Sequence, residues 1–199
     1  MSISIIQPVT AVSLMGGFDF PQLAYNEATN STYKIGAALT VSSGTFTEAS
    51  SGTSGSSATT GVIGFALQAG QNITNPGYPN YGVVYPSGAA TSGPASAGTA
   101  SAVAPLLYVP ALPTMVFEGT LCSNGGDHHL VTTDAFALYG LVKDSTSGYW
   151  YVDTNSTSSN AAVMVIGVKN PQDMTFSSTT GTLGARVYFV VRETSSQWT

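Results

Sequence analysis

The 199-residue chain carries little charge: only 8% of its residues are Asp, Glu, Lys or Arg, against about 25% in an average soluble domain. Lys and Arg together number 5, and the formal net charge is -5. So few cations argue against nucleic-acid binding, where clustered Lys and Arg must replace the counterions on phosphate. They argue equally against docking on an anionic membrane surface. Cysteine is nearly missing too, and the single thiol, Cys122, cannot close a disulfide within the chain. No apolar run approaches the ~20 residues of a spanning helix; Val163–Val168 is among the longest. The start, Met1-Ser-Ile-Ser-Ile-Ile-Gln-Pro8, lacks the basic region and long apolar stretch of a secretory leader. Synthesis in the cytoplasm is therefore expected. The Asn-x-Ser/Thr matches at Asn30, Asn72 and Asn155 are read as chance in a chain rich in Ser and Thr.

What remains is apolar and neutral polar. Hydrophobic residues reach 43%, with 10 Tyr, 8 Phe and 2 Trp, enough to build a core and to exclude disorder. The surface must consist of hydroxyls and amides rather than ions. No stretch shows a helical period, and Gly16, Gly17 and Pro21 interrupt residues 15–25. Short β-branched or aromatic runs bounded by Gly, Pro, Ser or Asn predict strands. They lie at Tyr33–Val41, Gly61–Leu67, Leu106–Val109, Met115–Leu121, Ala135–Val142, Tyr149–Val152, Ala161–Val168 and Leu183–Val191. The fold class expected is all-β, with barrel or sandwich units.

Composition divides the chain into an extended N-terminal arm (1–32), a first β unit (33–70), a long Pro/Gly/Ala-rich connection (71–104) and a second β unit with a C-terminal strand (105–199). Residues 50–60, nearly all Ser, Thr and Gly, read as a flexible loop. The two units carry a related pattern. Gly36 and Gly44 are 8 residues apart, as are Gly140 and Gly148, and Phe46 and Trp150 each follow the second glycine by two residues. A Val-Ile-Gly sequence then ends at Gly64 in one copy and at Gly167 in the other. Two related copies of a strand–turn–strand–loop–strand unit are expected, with Gly64 and Gly167 equivalent and with Phe46 and Trp150 in the core.

Gly36-Ala-Ala-Leu39, Ser43-Gly44 and Val62-Ile-Gly-Phe-Ala66 together resemble the head-decoration, or cement, proteins of tailed bacteriophages. The resemblance covers residues 33–70 best and 138–170 less well. It implies a β-tulip-like or barrel unit that binds the outside of a capsid, with the major capsid protein as partner, self-association as a homotrimer, and no chemistry. It places the chain on the virion surface after synthesis in the host cytoplasm. The neutral composition agrees with such a role, since few ionic contacts leave little for salt to screen.

Candidate sites for chemistry are sparse. Cys122-Ser-Asn-Gly-Gly-Asp127-His128-His129 holds metal-ligand residue types, yet it lacks the paired spacings of zinc sites. It reads instead as a polar hairpin tip at Asn124-Gly125-Gly126-Asp127. No nucleophile elbow or phosphate-binding Gly-rich loop occurs, so no catalytic, cofactor or metal residues are assigned and no enzyme activity is expected. Tyr78, Tyr81 and Tyr85 pin the long connection, contact a subunit, or stack on sugar. The last choice belongs to a rival reading, a carbohydrate- or receptor-binding module of a tail fibre or surface appendage. A main shell subunit is disfavoured, because its long helix and charged arm are missing. Residues 1–32 hold Ile3, Ile5, Ile6, Val9 and Val12, and are expected to order against the capsid or a neighbouring subunit. Val187–Val191, Trp198 and the segment with Pro105, Pro110 and Pro113 are candidate subunit contacts, with a central strand the alternative for Val187–Val191.

Overall fold

A computed structural model of the chain describes residues 6–12, 23–26, 33–67, 69–70, 105–170 and 184–197. The connection 71–104, with Tyr78, Tyr81 and Tyr85, and the terminal Trp198 lie outside the described residues. The fold is all-β, as the strand pattern predicts. Among the described residues there are eleven strands and no helix longer than a three-residue 3-10 turn. The strands are β1 (Thr10–Ala11), β2 (Leu23–Asn26), β3 (Ala38–Ser42), β4 (Thr45–Glu48), β5 (Gly64–Ala66), β6 (Pro105–Pro110), β7 (Phe117–Cys122), β8 (Leu138–Lys143), β9 (Trp150–Asp153), β10 (Val163–Val168) and β11 (Arg186–Val191).

They form two sheets. The first runs β2-β6-β5-β3-β4 and the second β7-β11-β10-β8-β9, with β1 added beside β7. These are the same order. Counted one to five along the chain, the strands of each sheet lie one-five-four-two-three. Neighbours within each run are antiparallel. The second sheet then closes into a barrel through a parallel pairing of β7 with β9, Leu121↔Val152 and Cys122↔Asp153. Five strands in a ring cannot alternate direction all the way round, so one pair has to run parallel. The matching edge strands of the first sheet, β2 and β4, bring Cα atoms within 8 Å of each other.

Sheet membership differs from the division read from composition. β6, placed by sequence at the start of the second unit, pairs with β5 and β2 of the first. β2, placed in the arm, belongs to the first sheet, and β1 pairs with β7 of the second. The described part of the arm therefore packs on its own chain, which corrects the expectation of an extended segment there. Ile6 and Val9 are buried. Arg186 holds the same stretch by donating from Nη2 to the Pro8 carbonyl at 3.0 Å, while its Nε bonds Glu118 Oε1 at 2.6 Å.

The repeated pattern is carried by strand order and by the turn, not by every glycine. β3, β4 and β5 pair as β8, β9 and β10 do, with the first strand in the middle. Gly44 and Gly148 both have positive φ (76° and 72°) and both precede the return strand, so Phe46 and Trp150 correspond. The first turn has two residues, Ser43-Gly44, and the second four, 145–148. That difference displaces Gly140 from Gly36. Extending the Val163↔Tyr139 register by two residues puts Ala161, not Gly167, at the position of Gly64. Gly167 instead lies beyond an irregularity in β10 and pairs with Tyr188. The expected equivalence of Gly64 and Gly167 is thus corrected.

One core joins the sheets. Phe65 of β5 meets Phe117 of β7 at 4.6 Å and Phe189 of β11 at 6.0 Å between ring centroids. Phe46 and Trp150 are buried in the same cluster, as expected. β11 is central in its sheet, with Val187, Phe189 and Val191 buried and Arg186, Tyr188 and Val190 on the half-buried face. The C-terminal segment completes the first sheet: Gln197 accepts from Val41 N–H at 3.1 Å, donates to the Val41 carbonyl at 3.4 Å, and its own N–H bonds Val62 O at 3.0 Å.

Candidate interaction surface

The loop read as flexible, 50–60, is a latch between the two sheets. Gly52 N–H donates to Thr59 Oγ1 at 2.7 Å, and Thr59 Oγ1 donates to the Leu141 carbonyl. Asp153, 0% exposed, accepts from Ser54 Oγ and Ser156 Oγ, each at 2.7 Å, and from Asn124 N–H at 2.8 Å. Gly55 N–H donates to Ser156 Oγ at 2.7 Å, and Lys143 N–H to Ser51 Oγ at 2.9 Å. Composition alone does not reveal this order, because the Ser and Thr hydroxyls that favour flexible loops also bind backbone groups across an interface.

The polar cluster resolves into separate roles. Asn124 and Gly125 have φ of 51° and 71° and form a two-residue hairpin turn closed by Ser123 and Gly126, as the hairpin reading predicts. Cys122 is buried beside Ile6, Val142 and Tyr151. Asp127 is exposed. His128 turns to Asp134, with Nε2 3.0 Å from Oδ2 and Nδ1 3.4 Å from Thr154 Oγ1. Among the described residues, no three His, Cys, Asp or Glu side chains come together as metal ligands.

Asp134 is the organising group. It is 1% exposed, accepts from Val131 N–H at 2.8 Å and takes the Tyr139 hydroxyl at 2.6 Å. Burial pushes its carboxyl up, but the hydrogen bonds from His128, Tyr139 and Val131 outweigh this and hold it below the ordinary value. Burial and the same carboxylate push the Tyr139 hydroxyl up, so it remains a donor. The Thr132–Asp134 turn is fixed by these bonds, and Phe136 follows it. Phe136 has φ 62° and is 73% exposed. A phenylalanine at positive φ costs roughly 1–2 kcal/mol of backbone strain, and strain of this kind is held only where the surroundings over-determine it. Nothing in the spacing of Thr-Thr-Asp-Ala-Phe signals that conformation.

Large apolar side chains exposed among the described residues fall in two places. Phe136 and Leu138 (36% exposed) stand two residues apart, and Leu138 is in register with Met164 and Val190 across neighbouring strands. Ile35 (43%) lies in the turn before β3, and Leu107 (40%) on β6. Ile35 borders a recess of about 140 Å³ lined also by Val9, Ala11, Phe65, Leu67 and Val109. Leu107 follows the same face of β6 as Val109. Sequence reading found neither pair.

The chain matches no family model, no curated protein and no solved structure.

Proposed function

We propose that the chain is a virion structural protein that decorates and stabilises the outer surface of a phage capsid, acting as a homotrimer on the major capsid protein. It reaches the capsid surface after synthesis in the host cytoplasm, and the reading assigns it no reaction, nucleic acid or membrane. The observation that carries it is the welding of two like-ordered sheets. They share one apolar core and a latch of hydroxyl, amide and carboxylate bonds around Thr59, Asp153 and Ser156. A body of this kind resists deformation and presents neutral surfaces, which suits a clamp across capsomers under internal pressure. Its resemblance over residues 33–70 to cement proteins points the same way.

The test is co-sedimentation with expanded, empty capsids of tailed phages. Saturable, stoichiometric binding that raises the capsid's resistance to heat is the expected result; absence of binding overturns the reading. A carbohydrate-binding module is the second reading. A polar recess of about 220 Å³ beside Ser54, Asn124, Asp144 and Tyr151 favours it. Saturable binding on a glycan array without capsid binding would select that alternative.

A further inference from the structure

We propose that the apolar recess between β1, β5 and β6 is the seat for Phe136 of a second copy of the chain. The inference does not rest on capsid binding. It rests on matched size and on the absence of charge from both surfaces. The recess holds about 140 Å³ and is lined by aliphatic and aromatic side chains and Thr10, with no charged group. An apolar cavity of about 150 Å³ takes one benzene ring. Phe136 offers one ring, 73% exposed, on a backbone held at a strained φ of 62°. Leu138 stands two residues from Phe136 in the chain, and Ile35 lines the recess.

The occupant is another copy for a reason of position. The recess is lined from β1, β5, β6 and the turn before β3, and Phe136, held beside β8 and β10, does not line it in its own chain and stays 73% exposed. Asp134 accepts from Val131 and Tyr139 beside it, and Ala137 O accepts from Val165 N–H of β10 at 2.9 Å. Area decides the form of the assembly. An aromatic side chain buries about 150–250 Å², so one knob with its rim falls well short of the roughly 1,200–2,000 Å² of a stable interface. A single contact is transient. Every copy carries both halves, and a contact between unlike surfaces gains strength by closing into a ring or reciprocal set.

The test traps the contact covalently. One protein carries Leu138→Cys, at the rim of the knob, and the other Ile35→Cys, at the rim of the recess; native Cys122 is buried in both. Mixed under mild oxidation, they should give a covalent one-to-one dimer. Adding Phe136→Ala to the first protein should cut the rate of trapping by about ten- to a hundredfold, the worth of one buried aromatic side chain. A control pairing Leu138→Cys with Ser43→Cys, on the exposed β3–β4 turn, should trap no faster than that. Failure to form the dimer, trapping equal to the control, or insensitivity to Phe136→Ala overturns the proposal. Capsid co-sedimentation of the Phe136→Ala protein, run in parallel, separates this outcome from that of the decoration reading.

Discussion

Trp150 donates its indole N–H to Glu48 Oε1 at 2.9 Å, so the return strand of the barrel is bonded to the return strand of the first sheet. Lys143 Nζ reaches the other oxygen of the same carboxylate at 2.6 Å. The return strands of the two sheets are therefore joined directly, with Glu48 two residues past Phe46, the counterpart of Trp150.

Glu48→Ala strands the indole N–H of a buried tryptophan, which should cost about 1–3 kcal/mol. Glu48→Gln keeps an acceptor for the indole and should cost less. Urea unfolding followed by tryptophan fluorescence measures both. An alanine variant within about 0.5 kcal/mol of the parent, the range of ordinary surface changes, would show that the bond adds nothing.

Gly64 and Gly44 should respond differently to alanine. A Cβ on Gly64 would run into the Val109 carbonyl and the Tyr108 ring, all in the packed sheet. Overpacking of this kind costs about 1–3 kcal/mol, occasionally more. At Gly44 a Cβ meets nothing within 4 Å, and only the φ of 76° opposes it. Gly44→Asn, which tolerates that conformation, should then be nearly neutral. Thermal melts of the three variants give the order, and a Gly44→Asn change as harmful as Gly64→Ala contradicts it.

Asp134 ties stability to acid pH. Its carboxyl titrates below the ordinary 3.8 when folded, so the unfolded chain binds the proton first as pH falls. Its contribution is complete above the ordinary value and is lost as pH drops through the lower, folded one. Asp134→Asn should be less stable than the parent at pH 7, with the gap narrowing below about pH 4. Glu118, lowered by Arg186 and Lys169 against the cost of burial, will keep part of the acid slope in that variant. Melting temperatures from neutral pH downward test this, and a gap that stays constant with pH excludes the role given to Asp134.

Deleting residues 2–12 should destabilise the body itself. The deletion removes buried Ile6 and Val9, the β1 pairing, and two carbonyl partners of Arg186. Loss of buried aliphatic side chains of this size costs about 2–5 kcal/mol each. A truncated protein that melts with the parent would restore the view of this segment as a detachable arm.

The sequence displayed its strands better than their partnership. All eight predicted runs contain or overlap a strand, because β-branched and aromatic residues between Gly and Pro leave few other options. Three strands lie outside those runs: β4 is legible only as the return strand of the repeat, β1 is two residues long, and Leu-Ala-Tyr-Asn of β2 has no β-branched member. β6 was assigned to the wrong sheet because it stands next to β7 in the chain, while its true neighbour β5 precedes the long connection. Core aromatics were legible from the Ser-Gly turn ahead of Phe46 and Trp150. The knob at Phe136 was not, since a buried aspartate and a strained backbone set it, and neither follows a period.

The Gln197 amide on Val41, and the bridge of Ser196 with Val62, have a consequence for synthesis. Most strands of the first sheet leave the ribosome early, yet the upper edge of β3 waits for a partner more than 150 residues downstream. Contacts at such sequence separation carry a large loop-closure cost and slow folding. The nascent chain thus exposes an unfilled edge for most of translation, and at about 5–20 residues per second that exposure lasts on the order of ten seconds. Chaperone occupancy during that window, rather than after release, is where this fold would be most sensitive to the state of the cell that makes it.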